Sequence, residues 1–438
     1  MHIAIVGSGI AGLAAALELE RRGHRDYAIY ERDSVAGGLC RSHCIDGYLF
    51  DSVSHVLHFQ SADVRQRTIE LVRGGLVSAE RDAAIYYLGR YVPYPFQTHL
   101  GFLPLKDGLA CLAGIIAARA RAARRPPQTF ADWIYGEFGA GIARHFMLPY
   151  NRRLWGVDPA EMSLDWMRFV PKAPLRPVLA SFLSGRTRQG YNAEFLYPAS
   201  GGIQSLIDGM ASRVSPIRFR RQVTAIDPGK RRLCFEDGGS AGYDVLISTI
   251  PLNRLAEICE GTPEALRAAG RQLRVVPIAS ITYGLRRPIN HSHHWVYFPE
   301  AEFPFFRLFF NSNVDPQSAP AGASLISAEF ANVPANDLEG IKTRTMAALQ
   351  QLGFLSGPME IAFTHSSYFA CGYPVHDLSR KAAVGKLLEY FDALGIRSIG
   401  RFGGWRYCGI EDGFLDAAEV VESILADRHR TLPTLDAV

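Results

Sequence analysis

The chain has 438 residues, 48% of them hydrophobic and 21% charged, with a formal net charge of +4. That length accommodates two or three lobes around a large core, and so mild a charge excludes a dedicated polyanion binder. Seven scattered cysteines with no C-x-x-C pair argue against a disulfide framework or a zinc site, and for a reducing compartment.

In chain order, residues 3–6 read as a short buried strand with no signal peptide ahead of it. Gly7, Gly9 and Gly12 then complete G-x-G-x-x-G before an alanine-rich helical run over residues 13–20. Gly7 makes the tight turn, Gly9 lets a pyrophosphate approach, and Gly12 lets helix and strand pack closely. Ile10 and Ala11 offer main-chain N–H groups at the helix start. A second strand (27–30) ends at Glu31, an acid placed to accept ribose hydroxyls, with Arg32 beside it. The segment continues through Gly37, Gly38, Leu39 and Arg41 to Ser42. This second glycine turn resembles the E-x-x-x-x-x-G-G-x-x-x-S/T pattern of flavoproteins in the amine oxidase and mutase superfamily, which implies FAD.

Residues 109–118 are apolar but too short to span a bilayer and predict a buried helix; no transmembrane run exists. The basic tract at 119–125 predicts a solvated helix end rather than a nucleic-acid site. Residues 129–168 predict a helix-rich insertion carrying Phe130, Trp133, Phe138, Phe146 and Trp155. Residues 222–226, which include Val223 of the expected cofactor set, and 243–251 read as later strands of the dinucleotide sheet. Residues 275–370 predict a β-rich region with strands at 278–283 and 295–298. His291-Ser-His-His294 lacks a Cys or carboxylate at ligand spacing and predicts a loop, so no metal site is expected. Residues 124–128 and 315–321 read as linkers, and no internal repeat is visible. Residues 399–407 close the sheet, with Arg401 near the isoalloxazine. A helix from about 413 to 425 aims its start, with Glu411 and Asp412, at the cofactor. The tail after 428 reads as loose.

The fold class is therefore α/β. A Rossmann-like FAD-binding domain is split over 1–60, 198–270 and 395–430; a mainly helical insertion covers 90–190, and a β-sheet substrate domain covers 275–390.

Further blocks carry a narrower resemblance. Tyr94-Pro-Phe-Gln97, Phe130-Ala-Asp-Trp-Ile134 and Pro149-Tyr-Asn-Arg-Arg-Leu-Trp155 are similar to UDP-galactopyranose mutases of the eukaryotic type. So are Tyr197-Pro-Ala-Ser-Gly-Gly202, Trp295-Val-Tyr-Phe-Pro-Glu300, Pro304-Phe-Phe-Arg307, Gly372-Tyr-Pro374 and Arg401-Phe-Gly-Gly-Trp-Arg-Tyr407. They fall in family order over most of the chain. The resemblance implies that Tyr94, Phe96, Gln97, Phe146, Asn151 and Trp155 hold the uridine. Tyr297, Tyr373 and Tyr407 would meet the diphosphate, Arg307 would clamp it, and His55 would lie on a loop beside the flavin. The implied activity is pyranose–furanose interconversion of a UDP-linked sugar, with N5 of reduced FAD as nucleophile at the anomeric carbon. NADPH or NADH would be the reductant, the location cytoplasmic, and an oligomer possible.

The pattern departs at several points. The family's second diphosphate arginine falls at Val170, with Arg168 the nearest cation; a substrate tyrosine falls at Val314; an asparagine falls at Ile410 or Glu411. Val53-Ser54 stands where two glycines are usual. These changes keep two readings open: a mutase for another nucleotide sugar, or a mutase-derived FAD-dependent oxidoreductase acting on a nucleotide substrate. A redox enzyme for an apolar substrate and a nucleotide sensor are further alternatives.

Overall fold

The computed structural model describes residues 1–120, 126–167, 170–172, 174–184 and 194–427. The basic tract at 121–125, Arg168 and the tail beyond 428 lie outside these residues.

Among the described residues a five-stranded parallel sheet runs in the order Ile396–Ser398, Val245–Ser248, Ile3–Val6, Tyr27–Tyr30, Ile217–Arg218. Every residue of Ile3–Val6, Tyr27–Tyr30 and Val245–Ser248 is buried, as in a parallel sheet covered on both faces. Helix Ile10–Arg21 covers one face and packs against the final helix, Ile410–Asp427. Leu13, Ala16 and Leu19 share a core with Phe414, Val421 and Ile424. The starts of the two helices touch: a Cβ on Gly413 would come within 2.7 Å of Ile10 Cγ2. The two N-termini therefore converge at one end of the sheet.

Three expectations are corrected. Residues 222–226 do not join the parallel sheet: Val223–Asp227 pairs antiparallel with Arg232–Phe235 in a separate three-stranded sheet. Asp227 Oδ1 accepts from Lys230 N at 2.9 Å and fastens the turn between them, so the local hairpin forms in place of a long crossover. The closing strand is Ile396–Ser398 rather than 399–407, because Gly400 (φ +77°) turns the chain into a short helix, Gly400–Gly403. The helix containing residues 109–118, Leu105–Ala120, buries only Gly108, Cys111 and Ile115, while Leu105, Leu109 and Ile116 are exposed. It packs on its neighbour along one face. None of the described helices is long and apolar enough to cross a membrane.

The second lobe is a seven-stranded sheet in the order Ile361–Pro374, Val275–Leu285, Ser324–Ala331, Arg307–Phe309, Trp295–Tyr297, Ala83–Tyr87, Arg90–Pro93. Its last two strands come from the N-terminal half. Helices Phe130–Ile142 and Leu148–Trp155 pack on this lobe through a core containing Phe96, Phe130, Phe138, Phe146 and Trp155. The register sets Arg307 between Tyr297 on one side and Glu329 on the other, which fixes the centre of the site.

Candidate active site

The cofactor end is built from main chain. Gly7 has φ +100°, and a Cβ there would lie 2.1 Å from Thr249 Oγ1; one on Gly12 would lie 2.0 Å from Gly7 O. Neither position accepts a side chain. At Gly9, by contrast, an added Cβ would meet only Gly37 O at an ordinary contact distance of 3.9 Å, so packing within the protein does not demand glycine there. Gly9 and Gly37 bridge the two glycine turns, and helix Ile10–Arg21 starts at Gly9 with no side-chain cap. An uncapped helix start between two glycine turns suits a pyrophosphate. Glu31 is buried; its Oε2 accepts from Ser8 N (2.8 Å) and Ser8 Oγ (2.7 Å), and its Oε1 from Asp33 N at 3.0 Å. Arg41 bonds Asp33 Oδ2 (2.6 Å) and Val35 O (3.0 Å), while its buried Nε has no protein partner. Leu39 and Gly38 follow on the second turn; Val223 is buried beside Tyr30 and Phe235 in the small sheet. Arg32 is exposed and points to Asp33. Glu411 uses its carboxylate on Gln60 N (2.9 Å) and Ser61 N (2.6 Å), and Asp412 uses its own on Gly409 N (2.7 Å). Those two side chains order the helix start, whose main chain is what remains for a cofactor.

Next to the cradle lies a half-buried cation. Arg401 donates Nε (3.1 Å) and Nη2 (2.6 Å) to Cys408 O and lies over the rings of Tyr373 and Tyr407, 5.4 and 5.9 Å from their centroids. No carboxylate among the described residues forms a salt bridge with it. A half-buried guanidinium with no carboxylate partner, beside a dinucleotide cradle, fits a flavin that carries negative charge when reduced. His55 Nε2 sits 3.6 Å from Cys40 Sγ. Burial first, and the Arg401 charge second, push the His55 pKa down to about 4, so its imidazole is neutral.

The substrate end is made of side chains. Arg307 Nε donates to Glu329 Oε2 at 2.6 Å and Nη2 lies 2.5 Å from the same oxygen, while Glu329 Oε1 accepts from Ser54 N at 2.8 Å. Burial disfavours the Arg307 charge, but Glu329 and then the surrounding phenols outweigh it and raise its pKa. Phenols surround this pair. Tyr150 lies 5.5 Å from Tyr297, Tyr297 lies 5.4 Å from Tyr94, and Tyr373 lies 5.6 Å from Tyr407. Trp155 joins Tyr407 (5.7 Å), Tyr373 (6.0 Å) and Trp166 (5.0 Å). Its indole Nε1 is buried without a partner, an orphan donor that costs about 1–3 kcal/mol unless something accepts it. Burial raises the pKa values of Tyr150, Tyr373 and Tyr407, which keeps all three protonated as donors.

The expected substrate residues thus converge, though not all line open space. Phe96 stacks on Phe146 at 5.0 Å, and both are buried in the helical core. Gln97 Nε2 donates to Pro171 O and Asn151 Nδ2 to Met147 O, each at 2.7 Å. Val314 is buried among Phe195, Tyr197, Trp295 and Phe309, next to Tyr94 and Tyr297, and Val170 packs against the helical core. Both substitutions put hydrocarbon near the site where a donor was expected. Glu329 and Tyr150 were not anticipated. Glu329 is the lone acid in the buried strand Ser324–Ala331, a signal that it needs a buried cation. Tyr150 stands within the Pro149-Tyr-Asn block itself. Arg81, also unanticipated, lies over the Tyr94 ring at 4.6 Å.

A parallel dinucleotide sheet, two glycine turns and a half-buried cation beside a cluster of phenols define a flavin-dependent enzyme class. Residues 10–374 match the family of flavin-containing amine oxidoreductases, and the chain belongs to that family. The crystal structure of reduced UDP-galactopyranose mutase superposes with a TM-score of 0.89 at 28% identity, covering 97% of this chain and 94% of that one. A putative protoporphyrinogen oxidase from Exiguobacterium sp. 255-15 shares the fold, with a TM-score of 0.76 at 18% identity over 97% of this chain and 99% of that one. Coproporphyrinogen III oxidase of Mycobacterium tuberculosis is 26% identical over 295 residues, 61% of this chain and 63% of that protein. The chain spans only 54% and 63% of the first curated relatives it matches.

Proposed function

We propose that this protein is an FAD-dependent nucleotide-sugar mutase that interconverts pyranose and furanose forms of a UDP-linked sugar. The observation that carries the reading is a side-chain cluster: Arg307, backed by Glu329, lies among Tyr150, Tyr297, Tyr373 and Tyr407, next to Arg401 and the glycine cradle. When bound, reduced FAD supplies an N5 nucleophile for the anomeric carbon, so the sugar undergoes no net oxidation. Gly7, Gly9, Gly12, Gly38, Glu31 and Arg41 would hold it, and Arg401 would balance its charge.

The protein's own part is leaving-group stabilisation. Arg307 and the protonated phenols bind the departing diphosphate, and a water-poor aromatic wall strengthens those bonds. Trp155 Nε1 gives the nucleotide a donor that has no partner within the protein. The reading includes NADPH or NADH as reductant and a cytoplasmic location. Val314 and Val170 favour a sugar with an apolar substituent over galactose itself.

A second reading rests on the same two valines and on the likeness to coproporphyrinogen III oxidase: a mutase-derived oxidoreductase acting on a nucleotide substrate. Anaerobic incubation of the dithionite-reduced holoenzyme with UDP-galactopyranose, then with other nucleotide sugars, separates the two. Furanose product from the reduced form alone supports the mutase. Substrate oxidation by the oxidised form, with no furanose from any sugar, refutes it.

A further inference from the structure

Three segments meet at a buried imidazole behind the phenol cluster. Tyr407 N donates to His376 Nε2 at 2.8 Å, and His376 Nδ1 lies 3.0 Å from Asp165 Oδ1. Arg380 Nη1 binds Asp165 Oδ2 at 2.7 Å, and Arg380 Nε donates to Trp405 O at 2.6 Å. The main-chain groups on both sides of Arg406 are therefore held by His376 and Arg380, which Asp165 links. The turn they hold is strained: Trp405 has φ +47°, a left-handed conformation that a bulky residue rarely adopts. That turn carries the Tyr407 ring to its contacts with Trp155 and Tyr373. His376 O in turn accepts from Ser163 N at 2.7 Å, which ties the segment before Trp166 to the same knot.

The bonds fix the tautomer. Nε2 accepts an amide N–H and so carries no proton; Nδ1 carries it and donates to Asp165. We propose that His376 is a positioning residue that holds Tyr407 against the substrate through its neutral Nδ1–H tautomer. The ligand named here rests on the nucleotide reading; the positioning itself does not.

Protonation of His376 would set a second N–H against the Tyr407 amide. The charged groups facing it are Asp165, Asp377 and Arg380, with Arg406 behind Arg380. Burial lowers the His376 pKa, Asp165 partly restores it, and Arg380 lowers it again, for a net value below the ordinary 6.5. Asp165 is penalised by burial, yet bonds from His376 and Ser163 and the Arg380 charge hold it well below the carboxylate range. It stays ionised while His376 titrates. A group depressed in this way contributes its anchor above the ordinary histidine pKa and loses it as pH falls through the lower folded value.

The test uses holoprotein labelled with 15N-tyrosine, the Tyr407 amide being assigned by its loss in Tyr407→Phe. At about pH 7.5 that resonance should move upfield in His376→Ala, which lacks the acceptor, and stay near its wild-type position in His376→Gln, whose amide oxygen accepts; on acidification the wild-type resonance should move only below the ordinary histidine pKa. At the higher pH, His376→Gln should bind UDP within about threefold of wild type, and His376→Ala about tenfold more weakly with the flavin spectrum unchanged. A Tyr407 amide shift unchanged in His376→Ala, or wild-type UDP affinity in that variant, would overturn the proposal. If wild-type protein binds no UDP, the nucleotide reading fails, and the amide shift still decides the positioning role.

Discussion

The cofactor end and the substrate end of this site are built on opposite plans. At the first, function is carried by backbone: glycine turns at Gly7 and Gly12 that no side chain can enter, and an uncapped helix start at Gly9. At the second, it is carried by side chains from distant segments, such as Tyr150, Arg307, Glu329, Tyr373 and Tyr407, brought together by strand register and helix packing. A backbone device tolerates almost no substitution, whereas a side-chain device can exchange one member at a time. Val170 and Val314 lie at the second end, where such exchange is open.

Four variants test that contrast. Gly12→Val puts carbon against Gly7 O and should be the most damaging, with loss of bound flavin and more than about 4 kcal/mol of stability. The ratio of flavin to protein absorbance checks it, and full flavin occupancy would mean that the turn is not the cofactor cradle. Glu329→Gln should retain flavin but cost about 3 kcal/mol in chemical denaturation, because Arg307 is left charged and unneutralised; a cost near zero would show that solvent reaches the pair. Arg307→Lys keeps the charge but loses the fork, and turnover should drop about 100-fold while the flavin spectrum is retained. Trp155→Phe should weaken UDP binding by about tenfold without touching the flavin, and unchanged affinity would return Trp155 to a purely packing role.

The same contrast explains what the sequence could disclose. Gly7, Gly9, Gly12, Glu31 and the Gly37-Gly38 turn are legible because each residue type has one physical use at that spacing. The helix beginning near Phe130 and the strands near residues 278–283 and 295–298 are legible from local composition. Residues 222–226 misled because a strand pattern does not name its partner, and the Asp227 turn chose a hairpin. Strands Ala83–Tyr87 and Arg90–Pro93 could not be assigned to the distant sheet because nothing local encodes a crossover. Phe96, Phe146 and Trp155 were readable as aromatics, but aromatic residues serve cores and ligands alike, and only geometry shows Phe96 stacked inside. Glu329 was invisible as a partner for Arg307 until register set the two opposite each other. The His376 knot joins residues 165, 376, 380 and 405–407, a contact set no motif records.

The most direct test of the account is positional isotope exchange in UDP-galactopyranose carrying 18O at the anomeric bridging oxygen, first with reduced and then with oxidised holoenzyme, followed by the same measurement on other labelled nucleotide sugars. The account predicts scrambling of the label into non-bridging positions with the reduced flavin alone, since a diphosphate held by Arg307 and the phenols departs and returns. A label that stays in place with every sugar in the reduced enzyme, while UDP still binds, would contradict it.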